Sequence, residues 1–260
     1  MKTKKDISKK APDKVPKKQG WKTISNVLLL LVFVASSVIV AQLAIGYLMV
    51  WILGRDTFIQ PVPTAIYSAL SYVVALVFIL YVTPKIIKKK CESRGDLGLR
   101  GLPTWTDIGL APVGFFVSLI LAAGLVALFN LFPWFDAEQA QDVGFNTYIV
   151  GFDRLVAFVT LVVIAPIAEE LIFRGWLYGK LRNILSEKVS DLASMIISIF
   201  LVSLLFGIIH LQWNVGVNVF ALSVVLCGLR EITGTIYSGI LVHMLKNGVA
   251  FYLLYVLGIG

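Results

Sequence analysis

Long apolar runs recur along the 260-residue chain and limit what it can fold into. Hydrophobic residues make up 58% of the sequence and charged residues only 15%, and the mean hydropathy is +0.87. A water-soluble domain of this size cannot bury so much apolar surface, whereas a lipid bilayer solvates it. Because backbone groups in lipid must pair within the chain, spanning segments of this kind are helices. The composition predicts an all-α, polytopic membrane helical bundle of about seven to eight transmembrane helices.

The apolar runs divide the chain into seven predicted spans. The sixth is short, because a spanning helix needs about 20 residues, and short segments are tolerated where they line a cavity inside the protein. The predicted spans cover residues 24–53, 64–82, 108–132, a stretch from about 154, 192–211, 219–229 and 234–257.

The net charge of +8 is concentrated at the N-terminus, where residues 1–22 contain nine lysines. Such a tail before a first span is typical of an inward-facing anchor and not of a nucleic-acid-binding surface. The predicted outside segments carry only Arg55 and Arg154 as basic residues, so we expect a multi-pass protein of the cell membrane with a cytoplasmic N-terminus. We divide the chain into a basic cytoplasmic tail (1–23), N-terminal membrane helices (24–153) and a C-terminal helical core (154–260).

Three charged residues interrupt the apolar fourth span, within the sequence APIAEELIFR. Each charge inside a membrane helix costs at least about 2.5–3.5 kcal/mol on insertion scales. Three charges together therefore indicate a structural or functional role. Glu170 and Arg174 are spaced i,i+4 and can neutralise each other on one helical face. Glu169 lies on a different face of the helix and has no cation nearby in the sequence, so it is a candidate general base or acid.

Both histidines of the chain, His210 and His243, lie in apolar segments. A hydrogen-bonded core histidine is the ordinary interpretation of either one alone. The turn between the fourth and fifth spans is centred near residue 189, and Glu169 and His210 are almost equally far from it along the chain. In an antiparallel helical pair these two residues are therefore level and can share one water molecule. The sequence leaves open whether His243 lies at the same depth.

The motifs EELIFR, FGIIH and HMLKN resemble the EExxxR, FxxxH and HxxxN motifs of the CPBP family of intramembrane proteases. This family includes type II CAAX prenyl endopeptidases and Abi-type, bacteriocin-processing enzymes. The resemblance covers roughly residues 154–250 and depends on all three motifs in this order. The residues concerned are Glu169, Glu170, Arg174, Phe206, His210, His243 and Asn247.

The resemblance implies an endopeptidase that cleaves a peptide or membrane-tethered protein at the bilayer. Glu169 and His210 would activate a water molecule, and His243 and Asn247 would stabilise the oxyanion. Glu170, Arg174 and Phe206 would support them. Glu169, His210 and His243 are also a possible zinc ligand set, so the cofactor stays open, with the metal-free mechanism favoured.

Two other functions fit the sequence. Related proteins act as bacteriocin self-immunity factors or sensor-kinase modulators, so the fold could serve as a non-catalytic membrane partner. A transporter could use Glu169 and His210 as a proton relay, but no repeat of hydropathy between the halves supports this. Lys246 departs from the expected apolar pattern; its position predicts that it points away from the face shared by His243 and Asn247 and snorkels or pairs elsewhere.

Overall fold

The computed structural model describes residues 17–83, 85, 92–139, 145 and 149–258. Within these residues the chain forms helices and no strands, and seven helices are long and apolar enough to cross a membrane. Large apolar side chains, such as Trp51 and Ile120, are exposed on the outer faces of these helices. The predicted all-α, polytopic membrane bundle is confirmed. The expectations for residues 1–16 of the basic tail lie outside the described residues.

The helices begin and end within about three residues of the predicted spans, apart from the start of the first span and both ends of the sixth. We label them α1 to α8 in chain order, with α2 a single turn that follows the first span. Their bounds are α1 Lys17–Leu53, α2 Arg55–Phe58, α3 Pro61–Val82, α4 Trp105–Phe129, α5 Gly151–Ser186, α6 Asp191–Ile208, α7 Trp213–Thr233 and α8 Tyr237–Leu257.

The sixth span is not short: α7 contains 21 residues. The prediction of a short segment was wrong because asparagines near its start lowered the local hydropathy. Asn214 donates from Nδ2 to the carbonyl of Gln139 at 2.5 Å, and Asn218 donates to the carbonyl of Asn214 at 2.9 Å. These bonds satisfy the polar side chains, so the helix extends beyond its apolar part.

Helix α5 is 36 residues long and contains two π-helical segments, one on each side of the two glutamates. Segments Val159–Ile164 and Leu171–Leu177 are π-helical, and an α-helical stretch, Ala165–Glu170, lies between them. Pro166 has no N–H to donate to the preceding turn, which disfavours regular α-helical bonding there. Such π-helical turns occur often at functional sites, and here they flank both glutamates.

Helices α5 and α6 form an antiparallel hairpin whose register matches the predicted one. The turn lies between Ser186 and Asp191. Phe173 and Phe206 are each one turn nearer to this hairpin than Glu169 and His210, and their ring centroids are 5.0 Å apart. This contact brings Glu169 and His210 to the same end of the helical pair.

Close helix crossings allow the core helices to converge. Gly207 of α6 meets Gly216 of α7 so closely that a Cβ atom at Gly207 would lie 2.8 Å from the carbonyl oxygen of Gly216. Helix α4 packs against α7 and α8, and α3 packs against the α5 segment that carries the glutamates. At the level of the charges, the neighbours of α5 are thus α3, α6 and α8.

Candidate active site

The centre of the site is a buried ion-pair network between α5 and α8. Arg174 donates from Nη1 to Glu170 Oε1 at 2.9 Å, and both side chains are fully buried. His243 Nδ1 lies 3.1 Å from the same carboxylate oxygen. The predicted Glu170–Arg174 pair therefore forms, and its second partner is a histidine from another helix. Breaking such a buried pair costs about 3–5 kcal/mol, because the remaining charge has no solvent.

Phe206 joins this network to the second histidine. The guanidinium carbon of Arg174 lies 4.5 Å from the centroid of the Phe206 ring, which is a cation–π contact. The same ring meets His210 at 5.0 Å and His243 at 5.9 Å between centroids. One aromatic side chain thus separates and orients both imidazoles, in agreement with a supporting role for Phe206.

Glu169 is held from two sides and stays partly accessible. The hydroxyl of Tyr72, on α3, donates to Glu169 Oε1 at 2.5 Å. His243 Nε2 lies 3.6 Å from Glu169 Oε2, which is an ion-pair distance but too long for a hydrogen bond. The side chain of Glu169 retains 14% of its accessible surface, whereas Glu170 retains none. Glu169 is therefore the carboxylate that a water molecule can reach.

His210 lies just beyond the C-terminal end of α6, not inside a helix as the predicted span 192–211 implied. Bonds from His210 N to the Gly207 carbonyl and from Leu211 N to the Ile208 carbonyl close a tight turn there, and Leu211 has a φ of 58°. The imidazole Nδ1 lies 2.7 Å from the Phe206 carbonyl oxygen. An N–H at Nδ1 donates to this carbonyl and leaves Nε2 as an acceptor.

The electrostatic surroundings of His210 favour this acceptor form. Burial lowers the pKa of the His210 imidazole, and the nearby Glu169 carboxylate only partly opposes that shift. A neutral ring with a free Nε2 can accept a proton from water. His210 is therefore suited to act together with Glu169.

Asn247 lies one turn beyond His243 on α8 and is engaged with the backbone. Its Nδ2 donates to the carbonyl of Leu161 at 2.9 Å, within the π-helical turn that precedes Pro166. One amide hydrogen of Asn247 is thus used to attach α8 to α5, and the other is available for a ligand. This structural bond was not predicted from the sequence.

The expectation that Lys246 points away from the face shared by His243 and Asn247 stays a prediction. Its side chain is half-buried, and within the described residues it makes no ion pair or hydrogen bond.

The proposed metal ligands have suitable chemistry but are not gathered into a metal site. The Nδ1 atoms of His210 and His243 are both hydrogen-bonded to protein oxygens, as is usual for histidines that bind zinc through Nε2. Across the described parts of the chain, however, no three His, Cys, Asp or Glu side chains are grouped so that they could hold an ion. The chemistry derived below therefore uses only the side chains of the protein.

Two contributors to the site carried no recognisable sequence signal. Tyr72 lies in a span whose apolar sequence revealed nothing beyond a membrane helix. Gly239 allows α8 to approach α5, since a Cβ atom there would lie 3.0 Å from Glu170 Oε2. A search for polar side chains on predicted inward faces of the early spans would have identified Tyr72 as one of several candidates.

The fold and site define a membrane-embedded helical bundle whose acidic and imidazole side chains meet between α5, α6 and α8. Residues 151–249 match the family described as type II CAAX prenyl endopeptidase Rce1-like. This stretch of the chain is similar to a CPBP family intramembrane protease, in agreement with the resemblance carried by the three motifs. Searches of the curated proteins and of the solved structures return no match.

Proposed function

We propose that this protein is an intramembrane endopeptidase that hydrolyses a peptide bond in a membrane-tethered peptide or protein. The observation that carries the proposal is that a partly accessible carboxylate, Glu169, lies at the same end of the α5–α6 hairpin as the imidazole of His210, whose Nε2 is free to accept a proton. Such a pair supports general acid–base chemistry in a site from which bulk water is largely excluded. The family match supports a protease of the CAAX type.

In the proposed reaction a water molecule binds between Glu169 and His210. Glu169 removes a proton from this water as its oxygen attacks the carbonyl carbon of the substrate. The carbon–nitrogen bond then breaks, and the same proton passes to the departing amine. Tyr72 keeps Glu169 oriented by donating to Oε1, which leaves Oε2 to face the water.

The oxyanion formed during the attack needs donors. Because Glu170 accepts from Nδ1 of His243, donation from Nε2 requires the doubly protonated ring, which here lies between two carboxylates. The second amide hydrogen of Asn247 is the other donor. Preorganised donors of this kind contribute about 2.7–4 kcal/mol each in other enzymes.

The test uses purified protein in phospholipid vesicles with a pooled library of N-palmitoylated peptides, and mass spectrometry detects cleavage. Glu169→Gln should insert and fold normally yet lose activity by about 10²–10⁴-fold, because an amide cannot accept the proton. Glu187→Gln is the matched control: Glu187 lies in the hairpin turn and is 73% exposed. Equal cleavage by Glu169→Gln and the control would refute the proposal.

The same assay examines the cofactor. The mechanism needs no ion, so we expect 1,10-phenanthroline to leave the rate unchanged. If zinc bound by Glu169, His210 and His243 supplied the activated water and the Lewis acid, chelation would abolish cleavage and added zinc would restore it.

A further inference from the structure

A polar cavity of about 510 Å³ lies at the end of the bundle that carries the α5–α6 hairpin turn. It is lined by the loop that precedes α4, by the C-terminal part of α5 and by the turn between α7 and α8; Leu97, Asn183 and Gly234 are examples. In the described part of the chain, no residue of the candidate active site lines it. Its volume is within the range of about 300–1,000 Å³ that is usual for ligand sites.

The cavity lies at the level of the membrane surface. Helix α5 has 36 residues and spans about 54 Å at 1.5 Å per residue, whereas the hydrocarbon core of a bilayer measures about 30 Å. Its last part contains Lys180, Arg182 and Asn183, which are costly inside hydrocarbon, so this end protrudes. Arg230 lies in the last turn of α7. Phosphate groups of lipids lie at this level, beside the polar end of the bundle.

Three of the four acidic side chains in the cavity form ion pairs. Glu92 Oε1 lies 2.5 Å from Lys180 Nζ. Arg182 Nη2 lies 2.6 Å from Glu231 Oε1 and 2.9 Å from Asp191 Oδ1. The lysine and one of the three arginines in the cavity lining are therefore occupied by carboxylates.

The fourth acidic side chain, Asp96, bonds within its own loop. Its carboxylate accepts hydrogen bonds from Ser93 N at 2.9 Å and from Ser93 Oγ at 2.7 Å. Acidic and basic side chains are equally numerous in the cavity lining. Nevertheless, Arg100 and Arg230 make no ion pair within the described residues, so these two cations have no carboxylate in contact with them.

Arg230 reaches from α7 to this loop. A Cβ atom at Gly98, whose φ is 73°, would lie 2.6 Å from the guanidinium carbon of Arg230. Arg230 Nη1 donates to the carbonyl of Gly234, and Nη2 donates to the carbonyl of Asp96 at 3.4 Å. Its Nε is buried and has no hydrogen-bond partner in the part of the chain that the structure describes. Two of the five N–H donors of this guanidinium are thus used by the protein, which leaves three.

Arg100 brings a second guanidinium group to the same turn of the loop. Its Nε would lie 3.7 Å from a Cβ atom at Gly95, and Gly98 N donates to the Gly95 carbonyl at 3.1 Å. Arg100 and Arg230 therefore lie against one turn, and both line the cavity. The side chain of Arg100 is exposed and makes no hydrogen bond within the described residues. Two like charges at one cavity repel each other, and an anion between them offsets this repulsion.

We propose that the guanidinium groups of Arg100 and Arg230 bind a phosphate group in this cavity, at a site separate from the candidate active site. A phosphate has several acceptor oxygens, and the planar donors of arginine match them in pairs. The phosphate can come from a lipid headgroup at the membrane surface or from a phosphate ion in solution. This inference goes beyond the proposed peptidase function and does not depend on it.

Isothermal titration calorimetry tests the proposal on the purified full-length protein in dodecyl maltoside micelles. The lipid probe is dihexanoyl phosphatidic acid, and dihexanoylglycerol, which lacks the phosphate, is its control. The soluble probe is sodium phosphate, with sodium chloride at equal ionic strength as its control. Arg100→Gln and Arg230→Gln each remove one charge, and Arg94→Gln is the matched control because Arg94 is an exposed arginine of the same loop that does not line the cavity.

We expect at least one phosphate probe to bind the unaltered protein, and neither dihexanoylglycerol nor chloride to do so. Arg100→Gln and Arg230→Gln should each weaken this binding about tenfold or more, because bonds to charged groups are lost, and Arg94→Gln should leave it unchanged. Tighter binding of phosphatidic acid than of sodium phosphate would identify a lipid headgroup as the source. Equal or weaker binding of phosphatidic acid would identify a phosphate ion in solution.

The absence of binding by both phosphate probes would overturn the inference, as would binding that survives Arg100→Gln or is weakened equally by Arg94→Gln. Arg230→Gln also removes the bond to the Gly234 carbonyl, so circular dichroism checks its helical content. If that variant unfolds, Arg100→Gln decides the result. Glu169→Gln should bind the probes as the unaltered protein does, so a failure of the peptidase proposal leaves this site standing.

Discussion

At the scale of single residues, His243 is the group that connects the two glutamates. Its Nδ1 contacts Glu170, its Nε2 faces Glu169, and only a few per cent of its side chain is exposed. The adjacent glutamates thus divide into a buried one that fixes the histidine and a more accessible one that can meet water. This division explains why two neighbouring carboxylates, with different surroundings, are both placed in an otherwise apolar helix.

Tyr72→Phe tests the orientation of Glu169. The change removes the hydroxyl that donates to Glu169 Oε1 and keeps the ring, so we expect turnover to fall about tenfold or more, since bonds to charged groups contribute about 1.5–3 kcal/mol. Tyr67→Phe, on the same helix, is the control; a comparable loss of turnover in both variants would point to a general disturbance of α3.

Asn247→Ala tests the oxyanion donor separately from the helix contact. Loss of a preorganised donor should reduce kcat by about 10²–10³. Loss of the bond to the Leu161 carbonyl should lower the free energy of unfolding by only about 1 kcal/mol. A variant with normal kcat and the same small loss of stability would show that Asn247 serves only to attach α8 to α5.

At the scale of helices, the site depends on how closely α8 approaches α5. The π-helical turns of α5 place both glutamates toward α8 and α3, and Gly239 removes the side chain that would hold α8 away. The second oxygen of Glu170 is buried and has no hydrogen-bond partner within the described residues. Space at this crossing is therefore limited by a charged group that cannot easily move.

Gly239→Ala should destabilise the protein by about 1–3 kcal/mol, as overpacking does in other cores, because the new methyl group would press on Glu170 Oε2. Thermal unfolding in detergent measures the effect. Gly228→Ala on α7 is the matched control, since nothing lies within 4 Å of its added Cβ atom. An equal or smaller effect at Gly239 than at Gly228 would contradict the close crossing described here.

The local parts of this arrangement were predictable from the sequence. Spacing along one helix gave the Glu170–Arg174 pair, and equal distances from a turn gave the register of Glu169 and His210. The contacts of Tyr72 were not predictable, because they depend on which helices lie side by side. The length of α7 was missed because Asn214 is satisfied by a loop residue far away in the sequence.

At the scale of the whole molecule, the early helices are part of the site. The family match covers residues 151–249, yet Glu169 receives its shortest hydrogen bond from α3. Helix α3 also contacts α1, which in turn packs against α5. We therefore expect that residues 151–249 alone would not hold Glu169 in the orientation described.

The central claim is that the assembled bundle hydrolyses a peptide bond with a water molecule activated at Glu169. The most direct measurement is cleavage of the palmitoylated peptides by the purified, vesicle-embedded protein in ¹⁸O-labelled water, with the products weighed by mass spectrometry. The account predicts that the newly formed carboxyl group carries one ¹⁸O atom after a single turnover and that Glu169→Gln yields no labelled product. Labelled product from Glu169→Gln at the rate of the unaltered protein, or no cleavage by either protein, would contradict it.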